Sequence, residues 1–258
     1  MPVYNSIDNQ LTSADVFGVY RRFISQLTTT ATTAATTTSG YVTAQRYPTN
    51  VVMPSSFASG INGVYFTRID MTNEDVSTTL LCGIEYLMGT LTVSGNTFSA
   101  GSAMPTKSLF GSSIQTASNI AFAVIDATLT ATTPVLTITY TDQDGNTGNS
   151  AQLTLPTNSA VLSAFLIHPH LATGDTGMRE VTNISISTGS AGSITIYGML
   201  PLQIKSSGVA GICTGAQPSS YPTPPWIVEA NEKLAFYRLN GLTSSQLYAV
   251  LAGVANYE

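Results

Sequence analysis

Two histidines, two cysteines and a thin scatter of carboxylates are the side chains of this 258-residue chain best equipped for chemistry. His168 and His170 flank Pro169 in the run IHPHLATGD. Such a pair is the start of a metal site or a general base, yet no Cys, Asp or Glu stands at close ligand spacing to complete a set. The two histidines therefore read as hydrogen-bonding residues at a strand-to-loop corner. Asp142, Asp144, Asn146 and Asn149 in TDQDGNTGN imitate a calcium loop. The closing Glu of that motif is replaced by Leu153 inside a run of strand formers, so an Asp-Gly-Asn hairpin turn accounts for the same residues. Cys82 and Cys213 make no metal-type spacing and read as buried free thiols.

A glycosidase needs two carboxylates facing one cleft, and the positions of the 14 acidic residues single out no pair. Glu74 and Asp75 fall in a loop and Glu229 and Glu232 straddle a turn; all four read as solvated. No nucleophile elbow, phosphate-cradling loop or dinucleotide fingerprint occurs. The expectation is a protein without catalytic residues, metal or cofactor. Tyr221, Trp226, Phe236, Tyr237 and Tyr248 gather towards the C-terminus, where they form either a sugar-stacking platform or, at alternating positions, core.

The elements that must position these residues follow from composition and period. Nine Lys plus Arg against 14 Asp plus Glu give a net charge of -5, and charged residues make up only 9% of the chain. Ordinary domains carry about 25%. A basic nucleic-acid groove is excluded, and 43% hydrophobic residues with a mean hydropathy of +0.19 exclude a disordered chain. At 27.1 kDa there is length for one large or two small domains. No run reaches the roughly 18–20 apolar residues of a membrane span, and no signal peptide is expected.

Residues 13–27, SADVFGVYRRFISQL, place Val16, Phe17, Tyr20, Phe23, Ile24 and Leu27 at three- and four-residue intervals, which predicts a helix capped by Ser13. The tract 28–40, TTTATTAATTTSG, has neither charge nor bulky anchors. It reads as a surface linker or as an arm ordered against a neighbour, with a reach of about 40 Å if extended.

From residue 41 the period falls to two. Strands are expected at 63–70, 80–93, 118–127, 135–141, 151–155, 162–168, 181–187 and 193–200, separated by Gly, Asn and Asp turns. Pro218, Pro222, Pro224 and Pro225 mark an irregular crossing. Residues 226–239 then read as two strands around a turn at Asn231 and Glu232, and 247–255 as a last strand. The fold expected is all-β, an antiparallel β-sandwich or jelly roll with an N-terminal helix and extended arm. Its parts are 1–40 (helix and arm), 41–205 (main sandwich) and 206–258 (crossing and closing strands).

Two stretches, ITYTDQDGNTGNSAQLTL and GDTGMREVTNISISTGSAGSITIYGMLPL, resemble the β-rich head decoration, or cement, proteins of tailed bacteriophages. That resemblance covers about a quarter of the chain and excludes the N-terminal helix and Thr tract. It implies a noncatalytic virion protein on the outer surface of the capsid. Its partners would be the phage major capsid protein and copies of itself, as a homotrimer or lattice assembly, with no direct nucleic-acid or membrane contact. A tail or fibre-associated adhesin subunit and a carbohydrate-binding β-sandwich module are the alternatives. Interface residues are expected on the arm: Phe17, Tyr20, Phe23 and Ile24 as its apolar stripe, with Arg21 and Arg22 beside it. Deleting 1–40 is expected to weaken assembly and leave the sandwich folded.

Overall fold

The computed structural model describes residues 3–6, 22–31, 43–48, 50–57, 60–73, 79–109, 112–130, 133–156, 159–187, 191–206, 226–239 and 245–257. Strands β1 (Val3–Ser6), β2 (Arg22–Ala31), β3 (Thr43–Arg46), β4 (Val51–Val52) and β5 (Ile61–Asn73) open the chain. They are followed by β6 (Thr79–Thr92), β7 (Thr97–Ala100), β8 (Thr106–Leu109), β9 (Ser112–Gln115), β10 (Ile120–Ala127) and β11 (Val135–Asp142). The last strands are β12 (Asn149–Thr154), β13 (Ser163–Leu166), β14 (Met178–Ile186), β15 (Ser193–Ser206), β16 (Lys233–Leu239) and β17 (Ser245–Tyr257). Among the described residues the helical elements are two 3-10 turns, Val93–Gly95 and His168–His170, and no helix is long and apolar enough to cross a membrane.

The centre is a closed ring. Strands run in the order β16-β3-β13-β10-β15-β6, every neighbouring pair is antiparallel, and β6 returns to pair with β16 from Lys233↔Glu85 to Leu239↔Thr79. A ring of this kind has no edge and a narrow interior that side chains fill. Inward positions supply Ala44, Leu81, Phe122, Val124, Ala164, Met199, Ala235 and Tyr237, a cluster drawn from all six strands. Phe122 and Tyr237 stack across it with ring centroids 4.3 Å apart. Alanines at three of these positions and glycine at Gly83 keep the bore narrow; a Cβ on Gly83 would lie 2.5 Å from Met199 Cγ and 2.6 Å from the Leu200 carbonyl oxygen.

The outer face of the ring is buried as well. Cys82, Ile84, Ala121, Ala123, Ile125, Ile194, Ile196 and Phe236 belong to a second core shared with two flanking sheets. One flank is three-stranded, β12-β11-β14, and presents Leu136, Ile138, Tyr140, Leu153, Val181 and Ile184 to that core. The other is four-stranded, β1-β2-β17-β5, and contributes Val64, Met71, Leu247 and Leu251. This layering explains two sequence textures. Ring strand β10, IAFAVIDA, is apolar on both faces because both are covered, whereas β11, VLTITYTD, alternates because threonines occupy its outer face.

The eight strands expected between 63 and 200 are present, with ends shifted by up to six residues, while β7, β8 and β9 stand where no strand was expected; the all-β antiparallel expectation holds in a barrel-centred form. The N-terminal helix does not. Arg22–Leu27, the second half of the expected helix, lies in β2, and so does the start of the expected linker, Thr28 to Ala31. Residues 7–21 and 32–42, with Phe17, Tyr20 and Arg21, lie outside the described residues. The run RFISQLTTTA carries a helical spacing, but its Ile and Thr residues also suit a strand. Register with β17, continuous from Ala31↔Ser245 to Arg22↔Val254, supplies a backbone ladder that an isolated helix lacks. Arg22, Phe23 and Ile24 thus stand opposite Val254, Gly253 and Ala252, inside a sheet rather than on a separate arm. Within residues 1–40, β1 and β2 are the two strands this segment contributes to that sheet.

A single strand, β16, replaces the two expected across 226–239. Val228 makes only an isolated bridge to Val64, and the turn sits at Ala230 and Asn231, where Asn231 takes a left-handed φ of 62°. The Pro-rich residues 207–225, and with them Cys213, lie outside the described residues; Cys82 is a buried free thiol whose pKa burial raises.

Candidate functional site at the barrel mouth

One end of the ring interior is polar. Strand parity sends Arg46 (β3), Glu85 (β6), Tyr197 (β15) and Asp126 (β10) into the bore beyond the apolar cluster. Arg46 grips Glu85 in a fork: Nε donates to Oε1 at 2.8 Å and Nη2 to Oε2 at 2.6 Å. Nη2 also donates to Asn50 Oδ1 at 3.0 Å, and the Tyr237 hydroxyl donates to Glu85 Oε1 at 2.6 Å. The guanidinium lies over the Tyr197 ring, 4.9 Å from its centroid. Burial alone would lower the Arg46 pKa, but the hydrogen bonds and charge of Glu85 override it and raise the value well above the ordinary one. Burial, then Glu85, holds the Tyr237 phenol neutral far above its usual range. Thr195 donates to Asp126, whose pKa burial raises despite the opposing pull of that hydroxyl and of Arg46.

A second cluster closes the wall of the mouth. Lys107 enters from the β8–β9 hairpin with a fully buried side chain and meets carboxylates on the segment before β16. Its Nζ lies 2.5 Å from Glu232 Oε1, 3.3 Å from Glu229 Oε1 and 3.2 Å from the Ile227 carbonyl. Tyr86 donates to the same Glu232 Oε1 at 2.5 Å, and the Glu229 amide donates to Oε2 at 2.7 Å. The Tyr86 pKa rises, chiefly by burial and then through Glu232.

A pocket of about 360 Å³ is lined by residues of both clusters, among them Arg46, Tyr197, Tyr86 and Glu232, together with Leu87 and Lys233. Fork geometry and saturated carboxylates make the clusters good at holding shape. Every carboxylate oxygen of Glu85 and Glu232 already accepts a hydrogen bond, so neither is set up as a base.

Residues singled out from the sequence are placed elsewhere, apart from Tyr237, which joins the Arg46–Glu85 cluster, and the pair Glu229 and Glu232. His168 is exposed and His170 half-buried in a 3-10 turn, and no group of three or more His, Cys, Asp or Glu is placed to hold a metal among the described residues. Asp142 caps its hairpin turn: Oδ1 accepts from the Asp144 and Asn146 amides at 2.8 and 2.9 Å, and Oδ2 from Asn146 Nδ2 at 2.8 Å. Desolvation pushes its pKa up, but these hydrogen bonds together outweigh it and lower the value. Of the C-terminal aromatics, Phe236 and Tyr237 are fully buried on opposite faces of β16 and Trp226 packs against the outer core, so these three offer no stacking platform. Tyr221 lies outside the described residues.

Glu229 and Glu232, both expected to be solvated, meet Lys107; the Glu229 side chain stays 46% exposed, whereas that of Glu232 is only 11% exposed. Arg46, Glu85, Tyr86, Lys107 and Tyr197 escaped sequence reading. The available signal was a lone charge inside an apolar strand, Glu85 in LLCGIEYLMG, in a chain so poor in charge that each one kept in a strand has a reason to be there.

No family model matches the sequence, and no curated protein matches it. Among solved structures, VP1 of Trichodysplasia spinulosa-associated polyomavirus aligns over 93% of this chain and 97% of its own, at 10% identity and a TM-score of 0.19. The VP2 subviral particle of infectious bursal disease virus aligns over 92% and 82%, at 8% identity and a TM-score of 0.19. At such TM-scores the functional reading rests on the chain's own geometry.

Proposed function

We propose that this chain is a noncatalytic structural subunit of a bacteriophage virion, a decoration protein on the outer face of the head that contacts the major capsid protein and copies of itself. The observation that carries the reading is an uncharged sheet margin. Strand β12, NSAQLT, ends the three-stranded flank with Ser150, Gln152 and Thr154 exposed and Ala151 and Leu153 buried. Monomeric proteins usually blunt such a margin with Lys, Pro or a bulge. None of these occurs along β12; the His168–His170 turn reaches the Gln152 backbone, and the rest of this polar, chargeless strand can pair with a neighbour at little desolvation cost. Ring closure supports the same role, since a barrel buried on both faces keeps its shape while its flanks carry load.

Cryo-electron microscopy of the source particles, paired with light scattering of the purified chain, tests this. Lattice-ordered density on a shell and concentration-dependent self-association are expected, with Ser150→Lys/Gln152→Lys reducing both. A chain that stays monomeric at every concentration and leaves capsids bare would overturn the reading.

A further inference from the structure

We propose that the barrel-mouth pocket is a binding site for a small acidic sugar, a polyhydroxylated ring bearing one carboxylate. This inference is independent of the virion role. Its basis is which hydrogen-bonding groups the pocket leaves unspent. Arg46 is 8% exposed and commits Nε and Nη2 to Glu85 and Asn50, while Nη1 has no protein partner among the described residues. The guanidinium lines the pocket, so this second edge is a donor set held in place by a buried carboxylate.

Asn50 accepts from Arg46 through Oδ1 and keeps its amide donors, and Lys233 on the rim has no ion-pair partner among the described residues. The lining carboxylates are spent: both oxygens of Glu85 and of Glu232 are occupied, by Arg46 and Tyr237 and by Tyr86, Lys107 and the Glu229 amide. The unspent groups are therefore mainly donors and call for an acceptor-rich anion.

Charge decides how much anion. Glu85 and Glu232 remain negative walls beside Arg46 and Lys233, so a single carboxylate is tolerated where a phosphate dianion is repelled. Size and texture complete the choice. A volume of about 360 Å³ is at the small end of ligand sites, and Tyr86, Tyr197 and Leu87 offer apolar surface beside Ser102 and Asn231.

The test is calorimetric titration of the full chain with D-glucuronate, D-glucose and inorganic phosphate. Saturable glucuronate binding is expected, with glucose and phosphate at least about tenfold weaker. Ala230→Trp, which fills the rim, should abolish binding while the thermal melt stays cooperative, and Lys233→Gln, at an exposed position, should weaken it several-fold. No saturable glucuronate binding, equal or tighter binding of glucose or phosphate, or unchanged affinity in Lys233→Gln would each overturn the assignment.

Discussion

The Asp142 turn and the Arg46–Glu85 pair are both carboxylates ringed by donors, yet they are built from opposite materials. Asp142, itself buried, takes its partners from Asp144 and Asn146, within four residues, at the exposed tip of a hairpin. Glu85 takes its partners from Arg46 and Tyr237, 39 and 152 residues away, inside a closed ring. The first costs little chain entropy to assemble. The second requires the whole barrel, and its members are dependent on one another, because a buried charge without its partner is heavily penalised.

That contrast predicts a steep ranking of effects. Glu85→Ala, which strands Arg46 in the bore, should lower unfolding stability by about 3–5 kcal/mol in denaturant titrations. The double substitution Arg46→Met/Glu85→Leu should lose less than Glu85→Ala alone, since it removes both desolvation penalties together. A double mutant worse than the single would show that the pair contributes net attraction. Lys107→Met leaves Glu232 its Tyr86 and Glu229 donors and should cost about 1–3 kcal/mol, with faster amide exchange confined to the β8–β9 hairpin.

Acid distinguishes the two regions next. The Asp142 pKa is lowered on folding, so its contribution is full above the ordinary value of 3.8 and fades as pH falls through the lowered one. Amide protection in the 142–149 turn should therefore weaken on acidification before the ring melts, and Asp142→Ala should erase that dependence. Protection in the turn that stays flat down to global unfolding would break the contrast.

Asp126 has the opposite sign. Its raised pKa means that stability is full below 3.8 and declines as pH rises through the raised value. Asp126→Asn should thus raise the melting temperature slightly at neutral pH and have no such effect in acid, the smallest change in the series. A lower melting temperature at neutral pH would mean that the Thr195 bond outweighs the desolvation.

Legibility followed contact range. The alternation of VLTITYT, the Asp-Gly-Asn turn and the strand across 118–127 could be read directly, because strand period and turn chemistry are local properties. The N-terminal helix was misread for the converse reason. RFISQLTTTA is compatible with either period, and the ladder to β17, more than 200 residues onward, decides between them. Glu229 and Glu232 looked solvated because a Lys more than 100 residues upstream cannot be seen from a turn.

What the chain determined by itself was a charge-poor, all-β protein with a large core and few groups for catalysis, since composition and period are carried in every short window. Only tertiary structure decided that six strands close into a ring, that Arg46 and Glu85 meet inside it, and that a polar pocket opens at its mouth. Ring closure depends on which distant edges pair, and a buried charge is tolerable only where the fold delivers its partner.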